Sequence, residues 1–282
     1  MATNDKFVLV VSDLHVGSAL ALLPEGFQGS NGVTLNLNIG QQYLWQCWTH
    51  FVAALPEVVD LLLINGDAVD GLNRKEESRF LCEIDPDFQA RAAFQALSPI
   101  VERVARAPET GVRNIIMSRG SSYHVGPGGS DGEEMLGLLL QARPGPDGRY
   151  TRPWTTMDLF GRAYLDAAHH QSYVIRYRDM PLEREIEFYL SRIARERAVV
   201  PKRAVIVRSH VHGSLRVIEE DGVMAISTPC WKLQDNFAAL SRYPNRMFST
   251  EIGAVGMWIR EGKIDVVPFT YAHPEVPVEV IR

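Results

Sequence analysis

Acidic and imidazole side chains follow an apolar segment near the start of the chain. Asp13 and His15 come directly after residues 7–11 and are separated by one residue. In an extended segment, residues two apart point to the same face, so both side chains can reach one ion. A carboxylate with an imidazole suits Zn²⁺, Mn²⁺ or Fe²⁺ better than Ca²⁺. A D-x-H pair alone is weak evidence, however, and a surface turn explains it more readily.

A second acidic motif, Gly66-Asp67-x-x-Asp70, follows the apolar residues 58–64. Gly66 permits a tight turn because glycine adopts left-handed backbone conformations at little cost. Asp67 then projects from the end of the predicted strand, where it could bridge two cations. For Asp70 two roles stay open: accepting backbone N–H bonds in the loop, or supporting a metal ligand from behind.

Histidines occur at two further strand ends. His210 and His212 are spaced to lie on one side of an extended segment, and histidine accounts for only 8 of the 282 residues. The spacing is therefore informative, although a pair of exposed loop histidines explains it equally well. His169 and His170 end the run of residues 163–168. Adjacent strand residues point to opposite faces, so one of this pair can face a shared site and the other is expected to be structural.

In this order the motifs resemble the calcineurin-like metallophosphoesterases over residues 13–212. In that family a double β-sandwich flanked by helices holds two cations, and the enzymes hydrolyse phosphomonoesters or phosphodiesters. The resemblance implies one metal held by two carboxylates and two imidazoles, and a second held through a shared carboxylate and two further imidazoles. The first set is Asp13, His15, Asp67 and His212, and the second is Asp67, His169 and His210.

The third motif departs from the family, which has G-N-H-[DE] at this place. Here Ser121 stands where the metal-binding Asn is expected, and Ser122 stands where the leaving-group His is expected. Either the loop is rebuilt, so that His124 supplies the imidazole and Ser121 or a water completes the second metal shell, or the second site is weak and activity is low. We favour the first explanation, because His124 lies two residues past the expected position in a loop bounded by glycines.

Such a site has a specific chemistry. Two cations about 3.5–4 Å apart clamp a phosphate and lower the pKa of a bridging water, and the resulting hydroxide attacks phosphorus. His124 would protonate the leaving group. Phosphate oxygens could be held by Arg119, Asn73, Arg74 and Lys75, for each of which a solvated surface role stays open. We expect a phosphate-ester substrate, with diesters favoured over monoesters, and two divalent ions, Mn, Fe, Zn or Ni, with Mn favoured.

The elements that must position these residues alternate between strand and helix. Strands are predicted at residues 7–11, 58–64, 112–117 and 204–207, and each ends in a polar or glycine-containing turn. Ligand sites in α/β sheets lie at the carboxyl ends of strands. Helices are predicted at residues 41–55, 88–106, 130–141 and 182–198, the third opening with a Ser130-x-x-Glu133 capping box.

The last third of the chain is predicted to be mostly antiparallel strand. Residues 214–218 and 223–227 form one hairpin through Asp221-Gly222, and residues 254–260 and 263–269 form another through Glu261-Gly262. Residues 23–38 and 143–153 are predicted loops. The resulting expectation is a single α/β domain over residues 1–282, with the double β-sandwich of mixed sheets, flanked by helices in four layers, that the resemblance implies.

Composition limits the class of protein. The chain has 46% hydrophobic residues, a net charge of −5 and a pI near 5.9, so no overall field attracts it to nucleic acid or anionic membrane. Three widely spaced cysteines indicate free thiols. We expect neither a signal peptide nor a membrane span, and hence a cytoplasmic location without a membrane partner. The sequence does not indicate an oligomeric state.

Two rival functions stay open at this point. The first is a DNA or RNA nuclease of the same fold, because residues 192–197 and Lys202-Arg203 could form a basic patch. Interleaved glutamates there are more typical of a solvated helix face. The second is a catalytically weak scaffold that binds protein partners, which the altered third motif makes plausible and the six retained candidate ligands disfavour.

Overall fold

The computed structural model describes residues 5–72, 80–125, 131–170, 180–196, 203–234 and 251–274. The strands are β1 (Lys6–Val11), β2 (Leu61–Asn65), β3 (Ile115–Ser118), β4 (Thr151–Arg152), β5 (Thr155–Leu159), β6 (Ala163–Ala167), β7 (Ala204–Arg208), β8 (Arg216–Glu220), β9 (Val223–Ser227), β10 (Ile252–Arg260) and β11 (Lys263–Tyr271). The helices are α1 (Ile39–Ala54), α2 (Pro86–Val101), α3 (Ser122–Val125), α4 (Asp131–Leu140) and α5 (Met180–Glu196).

These strands form two mixed sheets. The first has the order β11-β10-β1-β2-β3-β4 and the second has the order β5-β6-β7-β9-β8. In the first sheet β1, β2, β3 and β4 run parallel, while β10 is antiparallel to β1 and β11 is antiparallel to β10. In the second, β6, β7 and β9 run parallel between the antiparallel edge strands β5 and β8. The carboxyl ends of the parallel strands β1, β2, β6 and β7 lead into the predicted site residues.

The two sheets pack face to face. Val10 and Leu63 of the first sheet share one buried core with Leu165 and Val207 of the second. Every second residue of a strand faces this core, because successive side chains point to opposite sides of a sheet. Burying such apolar side chains removes them from water at about 25 cal/mol per Å² of apolar surface, so the inter-sheet core is a main source of stability.

Helices cover both outer faces. Leu9 of β1 packs with Trp48 of α1 and Leu97 of α2 in a core on the outer side of the first sheet. On the outer side of the second sheet, Ile206 of β7 packs with Leu182 of α5. The architecture is therefore helix, sheet, sheet, helix, which confirms the predicted α/β fold of two mixed sheets in four layers.

Both predicted hairpins are confirmed, but they belong to different sheets. β8 and β9 are joined through Asp221 and Gly222, whose φ angles of 49° and 82° are those of a tight hairpin turn. β10 and β11 are joined through Glu261-Gly262 and extend the edge of the first sheet beyond β1. Among the described residues, no helix combines the length and apolar character needed to cross a bilayer.

Several predicted boundaries are wrong. Helix α2 ends at Val101 rather than at residue 106, because the following backbone pairs with the segment before β2: Val59 donates to the Arg103 carbonyl and accepts from the Ala105 N–H. The predicted loop 143–153 contains β4, which pairs with the end of β3. Strand β5 was not predicted. The capping residue proposed for α4, Ser130, lies outside the described residues.

Candidate metal centre

The candidate ligands lie in strained backbone at the strand ends. Eight non-glycine residues of the described chain have positive φ, and five of them are candidate ligands. These five are Asp13 (51°), His15 (45°), Asp67 (48°), His210 (77°) and His212 (46°). The left-handed region is costly for residues with a Cβ, and such strain persists where function and surrounding structure require it.

The observed backbone conformation differs from the extended one that we inferred from the sequence. Asp13 and His15 do not lie on an extended segment, and neither do His210 and His212; all four residues have a left-handed backbone conformation. The four side chains nevertheless lie close to the other candidate ligands, His15 and His212 with Asp13, and His210 with Asp67 and His169. The predicted convergence is thus observed, but through a different backbone from the one that was predicted.

One group of potential ligands is formed by Asp13, His15 and His212, whose ligand atoms lie within 4.8 Å of one another. His212 Nε2 lies 3.2 Å from Asp13 Oδ1 and 3.0 Å from His15 Nε2. His15 Nε2 lies 3.8 Å from Asp13 Oδ1. Asp13 and His15 are fully buried, at the carboxyl end of β1.

A second group is formed by Asp67, His169 and His210, again within 4.8 Å. His169 Nε2 lies 2.9 Å from Asp67 Oδ2 and 3.3 Å from His210 Nδ1. His210 Nδ1 lies 3.9 Å from Asp67 Oδ2. Gly66 makes this approach possible, because a Cβ at Gly66 would lie 2.6 Å from the His169 ring.

The two groups meet at their carboxylates. Asp67 Oδ2 lies 4.0 Å from His15 Nε2 of the first group, and Asp13 Oδ1 lies 3.9 Å from His169 Nε2 of the second. Asp13 Oδ1 is buried and makes no hydrogen bond among the described residues. Burying a carboxylate oxygen without a hydrogen bond is costly unless a nearby positive charge compensates it. Carboxylate and imidazole donors in two adjoining groups therefore fit two divalent cations.

Two of the imidazoles are oriented from behind. His15 Nδ1 lies 2.9 Å from Asp70 Oδ1, and His169 Nδ1 lies 2.7 Å from the Asn65 carbonyl oxygen. A hydrogen bond at Nδ1 fixes the ring and turns Nε2 towards the centre, as is usual for metal-binding histidines. For Asp70 the geometry favours the supporting role over the loop-capping role.

The centre is electrostatically suited to bind positive charge. Burial raises the pKa of Asp13 and of Asp67, but nearby imidazoles, chiefly His169, outweigh burial and hold both pKa values well below the usual range. Burial lowers the pKa of His169, yet the two carboxylates raise it to about 10. The two ionised carboxylates therefore lie beside a protonated imidazole. A divalent cation that binds there can take the place of that proton.

The loop that carries the altered third motif contacts residues of both aspartate-containing motifs, Asp13-x-His15 and Asp67-x-x-Asp70. The Ser121 N–H donates to Asp67 Oδ1 at 2.7 Å, and the Ser121 hydroxyl donates to Asp67 Oδ2 at 3.2 Å. His124 lies on α3 with its ring centroid 4.4 Å from that of His15. Burial lowers the pKa of His124, but its bond to Asp70 and the charge of Asp67 raise it to about 9. His124 thus lies beside the first group of ligands.

Other predicted site residues are less closely connected. Arg119 lies half-buried at the end of β3, and its Nε is buried without a hydrogen-bond partner in the described structure. Asn73, Arg74 and Lys75 lie outside the described residues. His170, expected to be structural, is exposed, and its ring centroid lies 4.7 Å from that of His210.

Two charged residues of the centre were not identified from the sequence. Glu133 was interpreted as part of a capping box, yet its carboxylate accepts from the N–H groups of Ala68 and Gly120. Burial and the charge of Asp67 raise its pKa to about 7, against the effect of those two bonds. Lys232 is buried with Nζ 3.6 Å from Asp70 Oδ1. The only sequence signal for either is a charge within an apolar segment.

Comparisons with known proteins add the following. No family model matches this chain, and no curated protein matches it. A predicted phosphoesterase of Streptococcus pneumoniae is 11% identical, with 97% of this chain and 95% of that chain covered at a TM-score of 0.37. Vps29 of Chaetomium thermophilum is 9% identical over 95% and 96%, at 0.44. A dimetal phosphatase of Danio rerio is 9% identical over 94% and 99%, also at 0.44.

In fold class as in motif order, this chain resembles the calcineurin-like metallophosphoesterases. The fold part of that statement rests on the two mixed sheets and their flanking helices. Because identities are 11% or lower and TM-scores 0.44 or lower, the solved structures do not by themselves support a function for this chain.

Proposed function

We propose that this protein is a two-metal-dependent hydrolase of phosphate esters. The observation that carries the proposal is the meeting of two ligand groups at Asp13 and Asp67. Each group has one carboxylate and two imidazoles within 4.8 Å, and the separations between the groups are 3.9 and 4.0 Å. A structural site for one ion needs about four ligands, whereas six converge here.

The residues divide between the two cations as follows. Asp13, His15 and His212 would hold the first, and Asp67, His169 and His210 would hold the second, with Asp67 also reaching the first. Ser121, which donates to Asp67, stands in place of the family's asparagine. Bound divalent cations supply Lewis-acid stabilisation of the phosphate and lower the pKa of a water.

His124 is the proposed proton donor to the leaving oxygen. Its Nδ1 lies 2.9 Å from the Asp70 carbonyl oxygen and 3.2 Å from Asp70 Oδ1. A ring held in this way at Nδ1 delivers a proton from Nε2. Asp70 also favours the protonated ring electrostatically, so the imidazolium is held ready to act as an acid.

Phosphodiesters are the favoured substrates within this proposal. The support is indirect: branches of the resembled family with this motif order include many diesterases.

Mn²⁺ is the favoured ion, since carboxylate and imidazole ligands suit it. A cytoplasmic location agrees with three free cysteines.

The test is a hydrolysis assay. The protein is first stripped of metal and then resupplied with Mn²⁺, Fe²⁺, Zn²⁺ or Ni²⁺. Bis-(p-nitrophenyl) phosphate should be cleaved faster than p-nitrophenyl phosphate, and a chelator should abolish both activities. Faster monoester cleavage with several metals would reverse the substrate assignment. Absence of both hydrolysis and bound ions would reject the enzyme proposal in favour of a scaffold.

A further inference from the structure

Glu133 connects two loops of the metal centre from behind. It lies on α4 and is fully buried. Its Oε1 accepts the Ala68 N–H at 3.0 Å, and its Oε2 accepts the Gly120 N–H at 3.0 Å. Ala68 directly follows Asp67, and Gly120 directly precedes Ser121. The two oxygens of one carboxylate thus hold the backbone on either side of the contact between Asp67 and Ser121.

This contact leaves little room for movement. A Cβ at Gly120 would lie 2.2 Å from Asp67 Oδ1 and 3.0 Å from Glu133 Oε1, so the loops touch where they cross. Asp67 itself has a left-handed backbone, with φ of 48°, which requires support from its surroundings. Hydrogen bonds from Ser121 hold the Asp67 carboxylate on one side, and the bond from Ala68 to Glu133 holds its backbone on the other.

Packing of α4 does not by itself explain why an acid is buried at Glu133. Leu136 and Leu140 of the same helix are buried in the apolar core. A carboxylate among such neighbours is costly unless its oxygens are hydrogen-bonded, and both oxygens of Glu133 are. An amide of the same shape has only one acceptor oxygen, so it could satisfy one loop and would present a donor to the other.

We propose that Glu133 is a positioning residue for the metal centre, which ties the turn carrying Asp67 to the turn carrying Ser121 and so sets the place of Asp67 between the two ligand groups. The inference rests on the proposed function, because it takes Asp67 as a metal ligand. Both oxygens of Glu133 accept backbone N–H groups, so its proposed role is to position Asp67 and not to bind a cation or substrate itself.

The experiment compares Glu133→Gln with Glu134→Gln. Glu134 is the next residue of α4, and its carboxylate likewise accepts two backbone N–H bonds, from Tyr150 and Thr151 at 2.9 Å, but its partners belong to β4 and its approach. Mn²⁺ alone is titrated by calorimetry well below the melting temperature. Glu133→Gln should weaken Mn²⁺ binding about 10–100-fold, the usual effect of losing a group behind a metal ligand. Glu134→Gln should bind as the wild type does.

The outcomes separate the two proposals. A wild type that binds no Mn²⁺ overturns the proposed function itself. If the wild type binds Mn²⁺ and Glu133→Gln binds it with the same affinity, the positioning role is overturned. An equal loss of Mn²⁺ affinity in Glu133→Gln and Glu134→Gln overturns it as well. If Glu133→Gln does not fold, Glu133→Asp takes its place, because it keeps the charge but withdraws the oxygens. Weaker Mn²⁺ binding by Glu133→Asp supports the role, and wild-type affinity overturns it.

Discussion

His124 and Asp70 are joined at two points: Nδ1 of His124 lies 3.2 Å from Asp70 Oδ1 and 2.9 Å from the Asp70 carbonyl oxygen. The same Oδ1 lies 2.9 Å from Nδ1 of His15. Gly71 permits this close approach, because a Cβ there would lie 1.9 Å from the His124 carbonyl oxygen. One buried carboxylate therefore holds both a candidate metal ligand and the candidate proton donor.

His124→Ala should slow cleavage of diesters with alkyl leaving groups by about 10²–10⁴-fold, the usual contribution of general acid catalysis. Cleavage of p-nitrophenyl esters should suffer much less, because p-nitrophenolate leaves without a proton. Steady-state kinetics on both substrates measures the difference, and Mn²⁺ content should change little. His50→Ala, which removes an exposed histidine bonded to Tyr271, is the matched control.

Other outcomes for His124→Ala assign it a different role. Equal losses on both leaving groups, together with the loss of one ion, indicate that His124 is a ligand. No loss on either substrate would leave it a loop residue and favour a weak second metal site.

Asp67→Asn should abolish turnover while the variant still melts cooperatively. Asp67 is the carboxylate proposed to reach both cations, and an amide lacks the charge that a shared ligand contributes. The Ser121 N–H can still donate to the amide oxygen, so the loop need not unfold. Activity and thermal melting are measured on the same preparation, and near wild-type activity would show that Asp67 does not bridge.

Elemental analysis in excess Mn²⁺ should find two ions per wild-type chain and one in His210→Ala. His210 contributes Nδ1 to the second group, so its loss should leave the first group intact. The matched control is His170→Ala, because His170 contacts the His210 ring but is not a proposed ligand. One ion or fewer in the wild type, even in excess Mn²⁺, contradicts the two-metal assignment.

Gly66→Ala should reduce activity about 10–100-fold through displacement of His169, an effect comparable to losing other groups that orient a ligand. The added Cβ would lie 2.6 Å from the His169 ring, and φ at this position is +82°. Gly148→Ala separates the two causes, because Gly148 has φ of +79° with nothing within 4 Å. Both variants share the backbone strain, and only Gly66→Ala should lose activity and Mn²⁺. Equal activity in the two would exclude the clash as the cause.

Arg208→Met should lower the free energy of unfolding by about 3–5 kcal/mol, the usual result of removing one partner from a buried ion pair. Arg208 lies 2.8 Å from both Asp166 and Glu185, and its side chain is 3% exposed. The control is Arg260→Met, which removes a half-exposed arginine paired with Asp5 and should change stability far less. Urea titration measures both, and similar losses would contradict the prediction.

Much of the fold could be predicted because its signals are local. Apolar runs that end in polar turns mark the parallel strands, and Asp221-Gly222 marks a hairpin by its left-handed turn. The order of the motifs also placed Asp13, Asp67 and His210 at carboxyl strand ends. In a parallel sheet these ends share one edge, so the convergence of Asp13 and Asp67 follows from the pattern alone, whereas His210 follows β7 of the second sheet and reaches them because the two sheets pack face to face. Strand β5 and the end of α2 could not be predicted in this way, because pairing with distant segments decides them.

The sequence by itself determined which residue types stand at the strand ends, and hence the class of chemistry. Residue spacing did not give their grouping, which the family resemblance implied and which the tertiary structure brings about: His212 lies against Asp13 and His210 against Asp67, although the two histidines are nearly adjacent in the chain. The tertiary structure also decided that Asp70 lies against Nδ1 of His124 and that Glu133 accepts backbone N–H bonds from two loops. Spacing along a chain cannot show such relations, because the distance between remote residues is set by how the two sheets and α4 pack.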